Sequence, residues 1–285
     1  MSDQKSELFK NISVTNQLAL AKALTYLERT GPQSLIQFPE LLSPTKKALR
    51  IGITGPPGAG KSTLIGHLIN ELRSRHLSIG VLAIDPSSPF SRGAILGDRI
   101  RYSDHFNDDQ VFIRSLGTRG SLGGLCSSAY LMLRAYDLAG FDVVLIETVG
   151  VGQTELEIMN VADSIVVVLV PESGDSIQAM KAGLLEIADI YVVNKSDRPG
   201  ADAFTRELQA QMQNPSQKII NTVATESKGI IELADAVTSQ SFTKQNPVDR
   251  IKAEAKALLR TEIEQKVDKE IENIHTPDDL LSFFK

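Results

Sequence analysis

Apolar segments alternate with helix-length stretches through the middle of the chain. Six segments rich in Val, Ile and Leu predict strands, at residues 49–54, 79–85, 111–116, 142–148, 164–170 and 190–194. Several of these segments are almost continuously apolar, as expected for strands that are covered on both faces. Crossover helices fit between them, for example at 63–76, 122–139 and 175–188. This alternation predicts an α/β fold with a doubly wound, mainly parallel sheet, and any ligand should bind at the carboxyl ends of its strands.

The two ends of the chain carry helical patterns. Leu18, Ala21, Leu24 and Leu27 recur at three-residue spacing, which predicts an amphipathic helix that ends at Gly31-Pro32. Near the C-terminus apolar residues recur every four residues among many charges, which predicts a long amphipathic helix. That helix could pack on its own domain or form a dimer contact. We therefore predict a helical extension at 1–44, an α/β domain at 45–240 and a C-terminal helical extension at 241–285, a candidate dimerisation arm. The C-terminal pattern consists of Ile251, Ala255, Leu259, Ile263, Val267 and Ile271.

Composition narrows the classes of function. The net charge is −5 and no block of like charges occurs, so we expect neither nucleic acid nor an anionic membrane as a partner. The single cysteine, Cys126, fits a reducing compartment, and four scattered histidines do not form a Cys/His metal site. The first residues, MSDQKSELFKNIS, contain no apolar core, so we expect no export signal. The longest apolar run, 165–170, is too short to span a bilayer. These features predict a cytoplasmic protein.

The sequence GPPGAGKS, from Gly55 to Ser62, matches the phosphate-binding pattern GxxxxGK(S/T). It follows a predicted strand and opens a predicted helix, which disfavours the alternative of a fortuitous glycine-rich turn. Glycines allow main-chain N–H groups to converge on phosphates, and the helix N-terminus adds a favourable dipole. We expect Lys61 to reach the β- and γ-phosphates and Ser62 to ligate Mg²⁺. The predicted phosphate loop comprises Gly55, Pro56, Pro57, Gly58, Ala59, Gly60, Lys61 and Ser62.

A second motif, NKSD, ends the last predicted strand. The carboxylate of Asp197 can accept hydrogen bonds from the N1–H and N2–H₂ groups of guanine, a pair of donors that adenine lacks. A site built around such buried polar partners rejects the wrong analogue by ~10⁴-fold. Asn194 and Lys195 would brace this loop and lie along the base. In VATESKG, residues 223–229, Ala224 and Thr225 could present N–H groups to guanine, or the segment could be an ordinary loop. The predicted ligand is GTP/GDP.

A third segment, ETVGVGQTE at 147–155, directly follows a buried strand. Glu147 occupies the position at which other P-loop GTPases place a magnesium-directed Asp, and the N–H of Gly150 is suited to contact the γ-phosphate. Small signalling GTPases carry a water-positioning Gln immediately after that glycine, where this chain has Val151. Gln153 could substitute for it. We therefore expect slow intrinsic hydrolysis that rises when a partner organises the site.

A fourth segment, from Asp85 to Arg101, begins at a strand end and is rich in Pro, Ser and Gly. Asp85 and Asp98 are candidate Mg²⁺ ligands or water orienters, because carboxylate oxygens suit that ion. The alternative is that both only cap or solvate the loop. Taken with the other motifs, this segment predicts a P-loop GTPase domain flanked by N-terminal and C-terminal helical extensions.

These segments, together with GTRGSLGG at 117–124 and AGFDVVLIETVGVGQTE at 139–155, resemble the MeaB/ArgK family, which includes the methylmalonic aciduria type A protein. The resemblance is specific from about residue 18 to 197 and looser to about 235. It implies a GTP-dependent chaperone of an adenosylcobalamin-dependent acyl-CoA mutase, typically methylmalonyl-CoA mutase. Such proteins gate delivery of the cofactor, protect the mutase and hydrolyse GTP faster with the partner bound. The family is usually dimeric, but the C-terminal part of this chain departs from the family pattern.

The resemblance also implies roles for individual residues. Lys61, Ser62 and Thr63 would hold phosphates and Mg²⁺, with Asp85, Asp98 and Glu147 around the metal, and Asn194, Lys195 and Asp197 would read guanine. Lys181, within 171–189, matches a family lysine thought to enter the nucleotide site in the mutase-bound state. Judged from the residues alone, Lys181 could equally be a solvent-facing helix residue.

Three other functions compete with the chaperone hypothesis. A GTPase metallochaperone for another client would be expected to carry Cys- and His-containing motifs, which this sequence lacks. An amino-acid transport-associated kinase would need an acceptor site and a base, and the sequence identifies neither. A GTP-binding scaffold without turnover fits Val151 but not the three candidate carboxylates around Mg²⁺.

Overall fold

A computed structural model describes residues 8–85, 102–117, 127–148, 157–171, 184–212, 214–239, 246–272 and 274–276. The strands are β1 (Leu49–Thr54), β2 (Ile79–Asp85), β3 (Val111–Gly117), β4 (Val143–Thr148), β5 (Ser164–Leu169), β6 (Ile190–Val193) and β7 (Lys218–Asn221). The α-helices are α1 (Gln17–Thr30), α2 (Ser34–Gln37), α3 (Lys61–Ser74), α4 (Ser127–Ala139), α5 (Leu184–Ile187), α6 (Ala201–Gln211), α7 (Ile230–Thr238) and α8 (Pro247–Ile271). Short 3₁₀ helices lie at Gly31–Gln33, Pro39–Leu42, Ser103–His105, Ile158–Asn160 and Ala224–Glu226.

The strands form one parallel sheet in the order β3-β2-β4-β1-β5-β6-β7. This confirms the predicted doubly wound α/β fold. The central strand β1 pairs with β4 on one side and with β5 on the other. After β1 the chain builds one half of the sheet and then crosses to the other half. The carboxyl end of β1 is therefore the topological switch point, where ligands bind in open parallel sheets.

Hydrophobic cores cover both faces of the sheet. Helices α1 and α4 belong to one core, and helices α3 and α7 belong to the other. Both β4 and β5 are buried along their whole length, which explains their nearly continuous apolar sequences. The N-terminal helix was predicted correctly, but its buried face was only partly right. Leu24 and Leu27 are buried, whereas Leu18 is 67% exposed and Leu20 takes its place in the core.

Strand β7 was not predicted. Its four residues, KIIN, include an exposed lysine and an exposed asparagine, because β7 lies at the edge of the sheet that the described residues form, next to β6. The pattern is too short and too polar to stand out as a buried strand. The six predicted strands are all present, with ends that differ by one residue at most.

The long C-terminal helix is also confirmed, as α8. It packs on the domain through two ion pairs and through Leu258, which contacts the hydrophobic core. Arg134 donates to both carboxylate oxygens of Glu254 at 2.5 and 2.6 Å, and Arg250 contacts Asp163 at 2.5 Å. The large residues of the predicted apolar stripe lie elsewhere on the helix and are 45–61% exposed. In the parts of the chain that the structure describes, no helix is long and apolar enough to cross a membrane. The exposed stripe comprises Ile251, Leu259, Ile263, Val267 and Ile271.

Candidate nucleotide-binding site

The glycine-rich loop leaves the carboxyl end of β1 and leads into α3, as the sequence predicted. At two of its glycines a side chain would collide with neighbouring atoms. Gly55 has φ +140°, and a Cβ atom there would lie 2.1 Å from the carbonyl oxygen of Val168. Gly60 has φ +85°, and a Cβ atom there would lie 2.5 Å from Nδ2 of Asn194. The loop therefore turns close to β5 and to Asn194 because it lacks side chains at these points.

The side chains of Lys61 and Ser62 lie in the first turn of α3. The Lys61 ammonium donates hydrogen bonds to the carbonyl oxygens of Gly55 at 2.7 Å and Pro56 at 3.0 Å, so it rests against its own loop. The Ser62 hydroxyl donates to Oε1 of Glu147 at 3.0 Å. Because a phosphate offers stronger acceptors than a main-chain carbonyl, Lys61 can exchange these partners for a bound phosphate.

Glu147 reaches this loop because of the sheet register. It is paired with Ile53 of β1 near the carboxyl ends of both strands, and only 3% of it is exposed. Its second oxygen, Oε2, accepts a hydrogen bond from the hydroxyl of Tyr102 at 2.5 Å. Tyr102 was not predicted as a site residue, since nothing in its local sequence marks it. The contact exists because the fold brings together two residues that lie 45 positions apart in the sequence.

Asn194 connects three parts of the site. Its Nδ2 donates to the carbonyl oxygen of Ala59 at 2.8 Å, in the phosphate loop. Its Oδ1 accepts hydrogen bonds from the Thr222 hydroxyl at 3.0 Å and from the Ala224 N–H at 3.1 Å. Lys195, at a positive φ of 56°, donates from Nζ to the carbonyl oxygen of Gly58 at 2.9 Å. Through Asn194 and Lys195, the NKSD motif holds both the phosphate loop and the segment 223–229.

Two neighbouring cavities surround these residues. The larger, about 870 Å³, lies over the phosphate loop and the first turns of α3, with Glu147, Asp104 and His105 on its walls. Burial lowers the pKa of His105, although a hydrogen bond to the Gly66 carbonyl and the nearby Asp104 and Asp108 oppose the shift. The smaller cavity, about 170 Å³, adjoins the NKSD motif. It is lined by Gly60, Thr63, Asn194, Lys195, Asp197, Arg198, Val223, Ala224 and Thr225.

A further contact that the sequence did not suggest fixes the segment 223–229 to α3. Ser227, at φ 57°, lies with its hydroxyl 2.8 Å from Nδ1 of His67. Val223 and Lys228 form an isolated bridge that closes the same turn. Ala224 and Thr225 are thus held at the mouth of the smaller cavity by contacts on both sides, beside the exposed carboxylate of Asp197.

Several predicted site residues cannot be placed. Asp98, Gly150, Gln153 and Lys181 lie outside the described residues, and for Asp85 the structure gives only the backbone, at the end of β2. The described residues that do come together include Lys61, Ser62 and Glu147 at the larger cavity and Asn194, Lys195, Asp197, Ala224 and Thr225 at the smaller one. A parallel sheet with this loop at its switch point defines a P-loop nucleotide-binding protein.

Comparison with known proteins gives the family. The model of the methylmalonyl-CoA mutase-associated GTPase MeaB matches residues 20–276. A GTPase relative from Pyrococcus abyssi is 43% identical over 281 residues, covering 93% of this chain and 87% of the relative. The GTPase ArgK of Escherichia coli is 33% identical over 246 residues, covering 81% and 74% of the two chains. The chain belongs to the MeaB family of GTPases, as its motifs indicated.

Structural comparison agrees with this assignment. The solved structure of an LAO/AO transport system kinase is similar over 95% of this chain and 87% of its own, with a TM-score of 0.67 and 25% identity. The hydrogenase maturation factor HypB from Archaeoglobus fulgidus matches over 74% of this chain and 96% of its own, with a TM-score of 0.52 and 22% identity. The HypB match supports the fold alone.

Proposed function

We propose that this protein binds magnesium–GTP, hydrolyses it slowly by itself, and acts as a chaperone of an adenosylcobalamin-dependent acyl-CoA mutase in the cytoplasm. The proposed client is methylmalonyl-CoA mutase, for which it would gate cofactor delivery and prevent inactivation. The observation that carries the proposal is the match of residues 20–276 to a family described by its association with that mutase. The nucleotide site adds independent support from the geometry of its side chains.

Guanine specificity is supported by the smaller cavity. Asp197, Ala224 and Thr225 all line this cavity, and the hydrogen bond from the Ala224 N–H to Asn194 holds the segment 223–229 to the NKSD motif. In this arrangement the Asp197 carboxylate would accept hydrogen bonds from N1–H and N2–H₂ of guanine. The N–H of Thr225 would donate to the base oxygen, since the N–H of Ala224 already donates to Asn194. Adenine offers neither matching group, so binding it would leave the carboxylate without its two partners.

The donors beside the phosphate loop fit Mg²⁺. A serine hydroxyl and a carboxylate, those of Ser62 and Glu147, lie 3.0 Å apart at the N-terminus of α3, and hard oxygen donors of this kind suit the ion. Ser62 would hold the metal with Glu147, Asp85 and Asp98 around it. When bound, the ion neutralises charge that develops on the β- and γ-phosphate oxygens. Lys61 and the N–H groups at the start of α3 bind the same phosphates from the protein side.

Slow hydrolysis follows from the sequence after Glu147. Val151 cannot orient a water molecule, because its side chain has neither a hydrogen-bond donor nor an acceptor. Gln153 and Lys181 are the residues we propose to complete the site, with Gly150 sensing the γ-phosphate, when the mutase binds. Stimulation by a partner would then consist of placing these two polar side chains beside the phosphates. In other GTPases a cationic side chain placed beside the transferred phosphate raises turnover by ~10³–10⁵.

Homodimer formation is the second part of the proposal about partners. Helix α8 contacts the domain through Arg250, Glu254 and Leu258. The exposed stripe defined above lies outside these contacts. A second copy of the same helix would cover this stripe without separating α8 from its own domain. Leu259→Glu should therefore lower the mass measured by light scattering from two chains to one. Asp268→Lys, at an exposed residue of α8 that does not line the surface around Leu259, should leave the mass unchanged.

A substitution that replaces one carboxylate oxygen of Asp197 by an amide nitrogen tests whether this residue recognises guanine. Asp197→Asn replaces an acceptor by an amide donor, which repels the N2–H₂ group of guanine but can donate to the C2 oxygen of xanthine. Loss of two charge-assisted hydrogen bonds should weaken GDP binding by roughly 10²–10⁴-fold. Affinity for xanthosine diphosphate should rise at the same time. Asp202→Asn, an exposed carboxylate on α6, serves as the control. Unchanged GDP affinity in Asp197→Asn would remove this residue from the base site.

A further inference from the structure

Tyr102 makes a contact for which neither the motifs nor the family match provides a reason. The residue immediately precedes the short helix Ser103–His105, and only 1% of it is exposed. Its hydroxyl donates to Oε2 of Glu147 at 2.5 Å, while Ser62 donates to Oε1 of the same carboxylate at 3.0 Å. One carboxylate of the phosphate site is therefore held between a loop hydroxyl and a phenol from a different part of the chain.

The contact has the geometry of a strong hydrogen bond. An O–H donor to a carboxylate oxygen at 2.5–2.7 Å is charge-assisted and roughly twice as strong as a neutral hydrogen bond. Glu147 has one more rotatable bond than an aspartate at the same position, so more conformational freedom must be lost to fix its carboxylate. A buried phenol that holds Oε2 removes that freedom before any ligand arrives. Oε1 then remains directed toward Ser62.

We propose that Tyr102 is a positioning residue for the magnesium site: its hydroxyl fixes the Glu147 carboxylate beside Ser62 in the orientation that metal binding requires. The inference rests on the proposed magnesium–GTP function and assigns to that site a residue outside its sequence motifs. Tyr102 is not among the described residues that line the larger cavity. It acts through Glu147, so its removal should change the response to Mg²⁺ more than recognition of the base.

Tyr102→Phe tests the proposal, because it deletes the hydroxyl and keeps the ring in the core. The assay measures release of a fluorescent GDP analogue from the full chain as Mg²⁺ is titrated. Loss of a hydrogen bond that orients a metal ligand typically weakens metal binding by about 10–100-fold, so the half-maximal Mg²⁺ concentration should rise by roughly 10-fold or more. The GDP release rate in excess EDTA should stay unchanged, and kcat at saturating Mg²⁺ should change less than the Mg²⁺ requirement.

Tyr136→Phe is the matched control. Tyr136 is fully buried in the other hydrophobic core, and its hydroxyl donates to the carbonyl oxygen of Val81 at 2.9 Å. Deletion of that hydroxyl also removes a buried hydrogen bond, so it reports the effect of lost stability alone. If both variants shift the Mg²⁺ dependence equally, or if Tyr102→Phe shifts nothing, the proposal is wrong.

A double-mutant cycle with Glu147→Gln tests whether Tyr102 acts through Glu147. If it does, adding Tyr102→Phe to Glu147→Gln should have little further effect on the Mg²⁺ dependence, whereas additive effects would overturn the proposal. The same Mg²⁺ titration distinguishes failure of the proposed magnesium–GTP function from failure of the role of Tyr102. If Mg²⁺ does not slow GDP release from the unmodified protein, the proposed magnesium–GTP function fails. If the unmodified protein responds and Tyr102→Phe responds at the same concentration, only the role of Tyr102 fails.

Discussion

Replacement of Asn194 by alanine should disrupt the centre of the nucleotide site. Asn194 is only 2% exposed, and its amide makes three hydrogen bonds that join the phosphate loop to the segment 223–229. Alanine removes all three. The carbonyl of Ala59, the hydroxyl of Thr222 and the N–H of Ala224 then lose a partner inside the protein.

The size of the effect follows from these three groups. A buried polar group that loses its partner destabilises the fold by about 1–3 kcal/mol. The Thr222 hydroxyl can rotate toward another acceptor, whereas the two main-chain groups cannot turn. Water from the adjoining cavity of about 170 Å³ can satisfy part of the loss. We therefore expect the free energy of unfolding to fall by about 2–4 kcal/mol, within the range of a broken buried network.

Urea denaturation followed by circular dichroism measures this loss, and titration with a fluorescent GDP analogue measures binding. Asn221→Ala provides the control, because Asn221 is exposed and only accepts a hydrogen bond from Thr205 at 3.1 Å. Its effect should stay within about 0.5 kcal/mol, with GDP affinity unchanged. Equal losses of stability in Asn194→Ala and Asn221→Ala would refute the view that the Asn194 contacts hold the site together.

Two further predictions concern backbone strain and pH. Gly60→Ala combines a positive φ with a contact to Asn194, whereas Gly140→Ala, at φ +87°, meets nothing within 4 Å. Gly140→Ala should lower the free energy of unfolding by about 1–2 kcal/mol, and Gly60→Ala should lower it further and weaken GDP binding, both measured by the same assays. Burial lowers the pKa of His105, so the unfolded chain binds its proton more readily and stability should be lost as pH falls through about 6.5. In His105→Gln, the midpoint of urea denaturation should change less between about pH 7.5 and 5.5 than it does in the unmodified protein. An unchanged pH slope would contradict this origin.

The sheet was predictable because its central strands are buried on both faces. Runs such as 164–169 have no polar face, and this pattern distinguishes them from amphipathic helices. The edge strand β7 lacks that signal, since half of its four residues are exposed. The exposed Leu18 shows a related limit: three-residue spacing locates a helix, but the face that becomes buried depends on which neighbour packs against it.

Within the site, residues close together in sequence were the easiest to find. Lys61 and Ser62 lie in a motif whose backbone conformation is set by its own glycines. The contacts of Glu147 with Tyr102 and of His67 with Ser227 depend on strand register and on the packing of distant segments. No local pattern encodes such contacts. They appear only when the fold is known, and they are the contacts that position the predicted residues.

The most direct test of the account is steady-state nucleotide hydrolysis by the purified chain. GTP turnover should be measured with and without the adenosylcobalamin-dependent acyl-CoA mutase of the same organism, with ATP as the control nucleotide. We predict a slow rate with GTP only, which rises when the mutase is added. A GTP rate that no such mutase changes would contradict the chaperone function, and comparable turnover of ATP would contradict guanine recognition by Asp197.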